Sequence, residues 1–561
     1  MLPRLPLREG GPGTLVLEVL LLHAAEGLAE GVDGGEEGLD ALNTFGANQQ
    51  VFLDGRKLPV GGAPEAIQLE ILVRDVIHDC THPTTFISAH GSAVVGESEG
   101  GRLYWQAPEF PTGGPGRVIR HQTGCESLEA AQPPWKHWQA LAVLAAVAFL
   151  VYAPFLTLPP MVDDYGHTRL AERYGPPQGW GELFRDPLYR CRATSLWLTL
   201  ATLQLAGFPV AAFHLTSVAL HVLNAWLVYG LGACRWIGWR VAGAAALVFA
   251  ANERPHEAVI WYASIHEPLV FAFAVGAVLA WLRWLEGGRQ RWLAAVAAAW
   301  ALALLSKESG VVLAVVLPAA ALLYPGRRKA AVWALAAGLV STAGYFWLAW
   351  AGQAQHQHFH DGTFEPGWHF VTTMARSVPR GLGLWGGLAV AALVWRRQRA
   401  TWRAAALAAV WYVAALLPYA FLTYMPRIPS RHHYLASGGM ALLAGLGAVA
   451  ALGRFQRPRA ATAALAAAFL AHNALYLGLY KRPQFVKRAE VTEGLVRMVA
   501  EHPGERVLLR CPLLPLHEAR LALHYRLGLD PGGLLTEDEG DGAERVYTCG
   551  LPPRKYGDPG T

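Results

Sequence analysis

Leu158-Pro159-Pro160-Met161-Val162-Asp163-Asp164-Tyr165 closes the first strongly apolar run of the chain, 138–158, and decides how the rest is read. Two prolines stop any helix that precedes them, and two carboxylates follow at once. Acids at the mouth of a membrane helix are costly to keep near lipid, so they mark function rather than packing. The alternative for such a pair is a solvated loop turn, and its direct abutment to a helix end argues against that.

Outward from this stretch the composition fits a membrane protein. The 561 residues are 53% hydrophobic and 16% charged, with 21 Trp and a mean hydropathy of +0.25. A soluble chain carries nearer a quarter charged residues. Apolar runs recur near 138–158, 209–231, 241–252, 267–284, 292–305, 309–324, 331–350, 377–395, 404–422, 434–452 and 460–479. These predict an all-α polytopic membrane protein of about eleven spans. The third and fifth runs are the shortest of them, and Thr194–Phe208 reads as a helix lying along the interface.

Loop charges orient the spans. If the first runs from inside to outside, the cytoplasmic loops carry Arg235 and Arg240, then Arg283, Arg289 and Arg291, then Arg327, Arg328 and Lys329. The series continues with Arg396, Arg397, Arg399 and Arg403, then Arg454, Arg457 and Arg459, against Glu286 as the one acid. The opposite loops are mixed, which is the asymmetry that sets topology. The aspartate pair, Glu257, Glu267, Lys307, Arg431 and the tail then face the extracytoplasmic side of a bacterial-type inner membrane.

Three segments result. Residues 1–134 are rich in Gly, Glu and Pro, with one apolar run, Leu15–Ala24, too short to span a bilayer. They are expected to be mostly disordered, and one plain reading is an overextended gene model whose true start lies near residue 118 or later. Residues 135–481 form the membrane domain. Residues 482–561 read as a small extracytoplasmic α/β module, with helices at Val491–Ala500 and His517–Leu527 and a strand at Arg506–Arg510. Cys511 and Cys549 end apolar runs there and are candidates for a disulfide in an oxidising compartment. The six cysteines have no zinc-type spacing, and no basic stripe with interleaved aromatics tracks nucleic acid.

A resemblance follows from several motifs in order. Phe213-His214-Leu215-Thr216-Ser217-Val218-Ala219-Leu220-His221-Val222-Leu223-Asn224-Ala225 resembles the second membrane helix of GT-C glycosyltransferases, namely the polyprenyl- or dolichyl-phosphate-mannose-dependent protein mannosyltransferases. The closest group is the O-mannosyltransferases with tetratricopeptide repeats. Tyr189-Arg190, Pro255-His256-Glu257-Ala258-Val259-Ile260-Trp261, His266-Glu267, Ser306-Lys307-Glu308-Ser309 and Ser430-Arg431-His432-His433-Tyr434-Leu435-Ala436-Ser437 follow in the family's order. The likeness covers roughly 135–455. The chain departs from it in lacking the repeats, and in placing Cys191 where a Pro usually follows the Tyr-Arg pair.

The resemblance implies transfer of a sugar, with inversion, from a polyprenyl-phosphate-linked donor to a hydroxyl of a protein, lipid or glycan acceptor. Such chemistry needs a carboxylate to take the acceptor's proton and cations to receive the departing phosphate. Asp163 is the expected base and Asp164 its orienter or alternate. Arg190, Lys307 and Arg431 are the expected phosphate contacts, set against ordinary outer-loop ion pairs. Glu257, Glu267 and His256 would organise the site or meet the acceptor, although Glu257 also suits a helix start. His356, His358 and His360 are weak candidates for a divalent metal. His214 and His221, seven apart on one helix, suit packing between helices. The rival reading is a transporter or flippase for a lipid-linked sugar, which repeated halves and broken mid-membrane helices would favour.

Overall fold

The computed structural model describes residues 135–529, apart from 209, 355, 357, 359–361, 397–398 and 454, together with 534–535, 543–549 and 554–555. The N-terminal extension expected over 1–134, with its run at Leu15–Ala24, lies outside the described residues.

The helices of ten residues or more are α1 His137–Tyr152, α2 Val162–Tyr174, α3 Ala193–Ala206, α4 Val210–Gly230, α5 Gly238–Ala251, α6 His266–Gly287, α7 Arg291–Ser306 and α8 Leu313–Leu322. They continue with α9 Arg328–Ala351, α10 His369–Arg396, α11 Arg399–Leu416, α12 Tyr434–Leu452, α13 Pro458–Leu475, α14 Arg482–Glu501 and α15 Leu516–Leu527. Among the described residues, eight helical segments are long and apolar enough to cross a membrane, and three more, Gly238–Ala251, Arg291–Ser306 and Glu308–Leu322, are apolar but shorter. The count of about eleven therefore resolves into eight long and three short helices, and the two shortest apolar runs are among the three. Large side chains on α9 stay uncovered by protein, among them Trp333 at 74% and Val340 at 75% exposure. A bilayer is the solvent such a face requires.

The centre of the bundle is α12, walled by α5, α10 and α11. Its Ser-Gly-Gly and Gly-x-Gly stretches allow that approach. A Cβ on Gly439 would stand 2.6 Å from the backbone nitrogen of Tyr412, and one on Gly445 2.6 Å from the carbonyl oxygen of Val241. Small residues let membrane helices pack backbone to backbone where water gives no hydrophobic drive. A polar seam crosses the same core. Asn224 donates to the Tyr434 hydroxyl at 3.1 Å and to the Pro268 carbonyl at 2.9 Å. His221 lies 2.7 Å from that hydroxyl and 3.1 Å from the Ala250 carbonyl. Both histidines of α4 bond between elements, since His214 reaches the Leu158 carbonyl at 3.0 Å.

The last membrane helix does not stop at 481. A six-residue π segment, Tyr476–Lys481, joins α13 to α14, so one helical segment runs Pro458–Glu501. The expected helix at Val491–Ala500 is only its end. Beyond it lie β1 Val507–Arg510, β2 Leu534–Leu535, β3 Arg545–Thr548 and β4 Arg554–Lys555, in the order β2-β1-β3-β4. β1 is parallel to β2 and β3, and β4 is antiparallel to β3. Cys511 and Cys549 are joined in a disulfide with Cα atoms 5.1 Å apart. Leu495, Val496 and Val499 of α14 and Tyr165 of α2 enter the apolar core of this module.

Candidate active site

The first span ends at Phe155, ahead of the proline pair at 159–160, and Met161 in extended conformation opens α2. The two aspartates in its first turn favour the helix dipole, but they have different surroundings. Asp164 is 4% exposed and fully engaged. One carboxylate oxygen accepts the Met161 N–H at 2.8 Å, and the other accepts the Ala263 N–H at 2.7 Å. It therefore fastens α2 to the loop before α6. Burial raises its pKa to about 7 against those two hydrogen bonds.

Asp163 is half-buried, and its carboxylate makes no hydrogen bond or ion pair among the described residues. Burial raises its pKa, while Arg431, Arg488 and His517 pull the other way. A free carboxylate with raised basicity, facing two guanidiniums, is what a general base needs.

The guanidiniums sit on a shared platform. Arg431 lies 5.1 Å and Arg488 5.7 Å from the centroid of one Trp261 ring. Glu257 holds both, Arg488 at 3.2 Å and Arg431 at 3.7 Å, and its carboxylate also accepts the Arg431 backbone N–H at 3.3 Å. Burial pushes the Glu257 pKa up, but Arg431 and then Arg488 hold it well below the usual carboxylate range. The Tyr424 hydroxyl accepts from Arg431 at 3.2 Å. Two cations sharing one carboxylate leave a net positive charge beside Asp163, of the kind that attracts phosphate oxygens.

The next residue, His432, belongs to a second cluster. Glu267, fully buried, is ion-paired with Lys307, lies 2.6 Å from His432 Nδ1 and accepts from the Tyr419 hydroxyl at 3.3 Å. The Tyr419 and His432 rings stack at 4.2 Å. Lys307 is 3% exposed; burial lowers its pKa to about 8 despite Glu267. Here the structure favours the ion-pair alternative over a phosphate contact, because Lys307 already has an anionic partner.

Arg190 is not brought to Asp163. Its charge bears on Cys191 and His356, and its Nη2 is buried without a hydrogen-bond partner among the described residues. His256, 6% exposed, lies 2.7 Å from the Glu253 carbonyl, so it orders the loop that carries Glu257. His356 and His358 have ring centroids 5.7 Å apart, while His360 lies outside the described residues. Among the described residues no group of three or more His, Cys, Asp or Glu is placed to hold a metal ion.

Sequence reasoning missed Arg488 and Trp261. Arg488 was assigned to the soluble tail because the apolar run ends near 479. The signal is the helix-compatible stretch that continues past 479 and brings this arginine to Glu257 and Trp261. Trp261 ends one of the quoted motifs, and a tryptophan between acidic and basic loop residues is a natural cation platform.

No protein-family model matches the chain, and no curated protein matches it. Among solved structures it is similar to ArnT from Cupriavidus metallidurans in the apo state, at 16% identity and a TM-score of 0.43, covering 69% of this chain and 84% of that one. It is likewise similar to the same protein bound to undecaprenyl phosphate, at 16% identity and a TM-score of 0.40, covering 71% of this chain and 85% of that one.

Proposed function

We propose that this protein is a GT-C-type membrane glycosyltransferase that moves a sugar from a polyprenyl-phosphate-linked donor to an acceptor hydroxyl at the outer face of the membrane. The observation that carries this reading is the unpartnered Asp163 carboxylate facing Arg431 and Arg488 on the Trp261 ring. The motif order described above supports it.

In the step proposed, the acceptor oxygen attacks the anomeric carbon from the face opposite the phosphate, and its proton passes to Asp163. The bond from the anomeric carbon to the phosphate oxygen breaks, and polyprenyl phosphate leaves with the electron pair. Arg431 and Arg488 stabilise the charge gathering on that oxygen, and Tyr424 and Glu257 hold them oriented beforehand. Glu267, Lys307 and His432 form the buried support behind Arg431. Inversion follows from a single displacement. The acceptor's approach is bounded by Asp163 on α2.

Binding of undecaprenyl phosphate to the purified chain in lipid nanodiscs tests the reading, with the uncharged polyprenol of equal length as control. Stabilisation by the phosphate alone, lost in Arg431→Ala and Arg488→Ala, is the expected result. Equal stabilisation by both lipids would remove the phosphate clamp.

A further inference from the structure

Helix α15 of the C-terminal module packs against α2, and Glu518, in its first turn, feels the charge of the candidate base Asp163. The Glu518 carboxyl rests on Gly166. A Cβ there would come 3.1 Å from the carboxyl carbon and 3.1 Å from Oε2, so the bare glycine backbone is what admits it. Gly166 follows Asp163 by three residues, which puts both on one face of α2.

Glu518 is 9% exposed, and its Oε2 has no hydrogen-bond partner among the described residues. The titratable groups facing it are Asp163 and Asp164 of α2, Tyr189 from the short helical turn Tyr189–Arg192 and, on its own helix, His517, whose Nε2 is 3.3 Å from Oε1; the Gly166 N–H donates to the carboxylate. Three carboxyls thus meet where two helices begin. The far end of α15 is fixed independently. The Tyr525 hydroxyl donates to Glu172 at 2.7 Å, and the Tyr525 ring stacks on Phe208 at 5.0 Å. The disulfide ties Cys511, just ahead of α15, to the residue after β3.

We propose that Glu518 is a positioning residue of the transfer site, a latch by which the C-terminal module fixes the first turn of α2 and with it the Asp163 carboxylate. This rests on the proposed function only in naming the site; the latch itself concerns docking. Burial, and then the neighbouring Asp163, raise the Glu518 pKa to about 8, so the carboxyl holds a proton at neutral pH. A carboxyl whose pKa is raised by folding stabilises the docked state below its unfolded value. That contribution is lost as pH rises through about 8. Above that pH a third negative charge would stand beside Asp163 and Asp164, and the module would loosen.

Hydrogen–deuterium exchange on the full chain in nanodiscs tests this, with rates corrected for intrinsic exchange. Between pH 6.5 and 9.5 the wild type is expected to lose protection over 162–174 and 516–527. The loss should be about thirtyfold, since each unit is worth tenfold up to the folded pKa of about 8, about 1.5 units above pH 6.5, and the loss levels off beyond it. Glu518→Gln, neutral at both values, should keep its protection. Parallel loss in both proteins, or loss in neither, overturns the latch. Should Glu518→Gln fail to fold, Gly166→Ala serves instead. It displaces the carboxyl without changing its chemistry and must lower protection of 516–527 already at pH 6.5; unchanged protection there overturns the proposal as well. In a transfer assay Glu518→Gln should abolish the alkaline fall of kcat above pH 8 while leaving undecaprenyl phosphate binding as in wild type. A chain with the exchange behaviour but no transferase activity would sink the proposed function and leave the latch standing.

Discussion

Replacing each aspartate of the pair by asparagine should give two opposite phenotypes. Asp164 uses both carboxylate oxygens as acceptors, one for Met161 N–H and one for Ala263 N–H. A carboxamide has one acceptor oxygen, so in Asp164→Asn one buried N–H must face an NH2 group. Leaving a buried donor unsatisfied costs about 1–3 kcal/mol. Asp163 has no such partners among the described residues, so Asp163→Asn should change stability by less than about 0.5 kcal/mol. It removes the proton acceptor, however, and loss of a general base costs roughly 10²–10⁴-fold in rate, or about 2.7–5.5 kcal/mol of transition-state stabilisation. Thermal unfolding in detergent and sugar transfer from a polyprenyl-phosphate donor, measured on the same preparations, separate the two. Asp163→Asn should unfold like wild type and be inactive; Asp164→Asn should unfold earlier and keep part of its activity when folded. Transfer by Asp163→Asn within about threefold of wild type would refute the assignment and shift the role of base to Asp164.

Arg431→Lys should retain more donor use than Arg431→Ala, because lysine keeps the charge and loses the bidentate fork; KM for the donor reads this. If a charge swap between Arg431 and Glu257 restores activity, Arg431 is scaffold and not a phosphate clamp. Gly445→Leu forces a side chain against the Val241 carbonyl and should destabilise the bundle by about 1–3 kcal/mol, visible as reduced folded yield beside an unaffected Gly276→Ala, whose site is open. Thiol labelling of intact cells before and after reduction should find Cys511 and Cys549 oxidised and outside; labelling only after permeabilisation would place the module inside.

Much of the helical arrangement was legible in the sequence because bilayer length constrains it strongly. The apolar runs located the spans, whereas α2, just after the prolines at 159–160, was not among the expected helices. Which aspartate is free was not legible. Asp163 and Asp164 are chemically identical neighbours, and the distinction comes from the Ala263 N–H, 99 residues away in sequence. Lys307 misled for a similar reason. A lysine on the outer side reads as an anion contact, and its anion turned out to be Glu267, from another helix. Arg488 and Glu518 were hidden by the assumption that a change in composition near 481 is a change in role.

The π segment at Tyr476–Lys481 has a geometric consequence for the arginine beyond it. Each residue of an α-helix turns the chain by about 100°, and a π turn shifts that phase by accommodating an extra residue. Arg488 is therefore aimed at Glu257 by the local winding of a helix that begins at Pro458, more than twenty residues earlier. Losing one residue from the segment would leave every membrane-facing contact of α13 untouched. It would swing the guanidinium about a quarter turn off the Trp261 ring, so that the membrane anchor also sets the angle at which the site meets its charge.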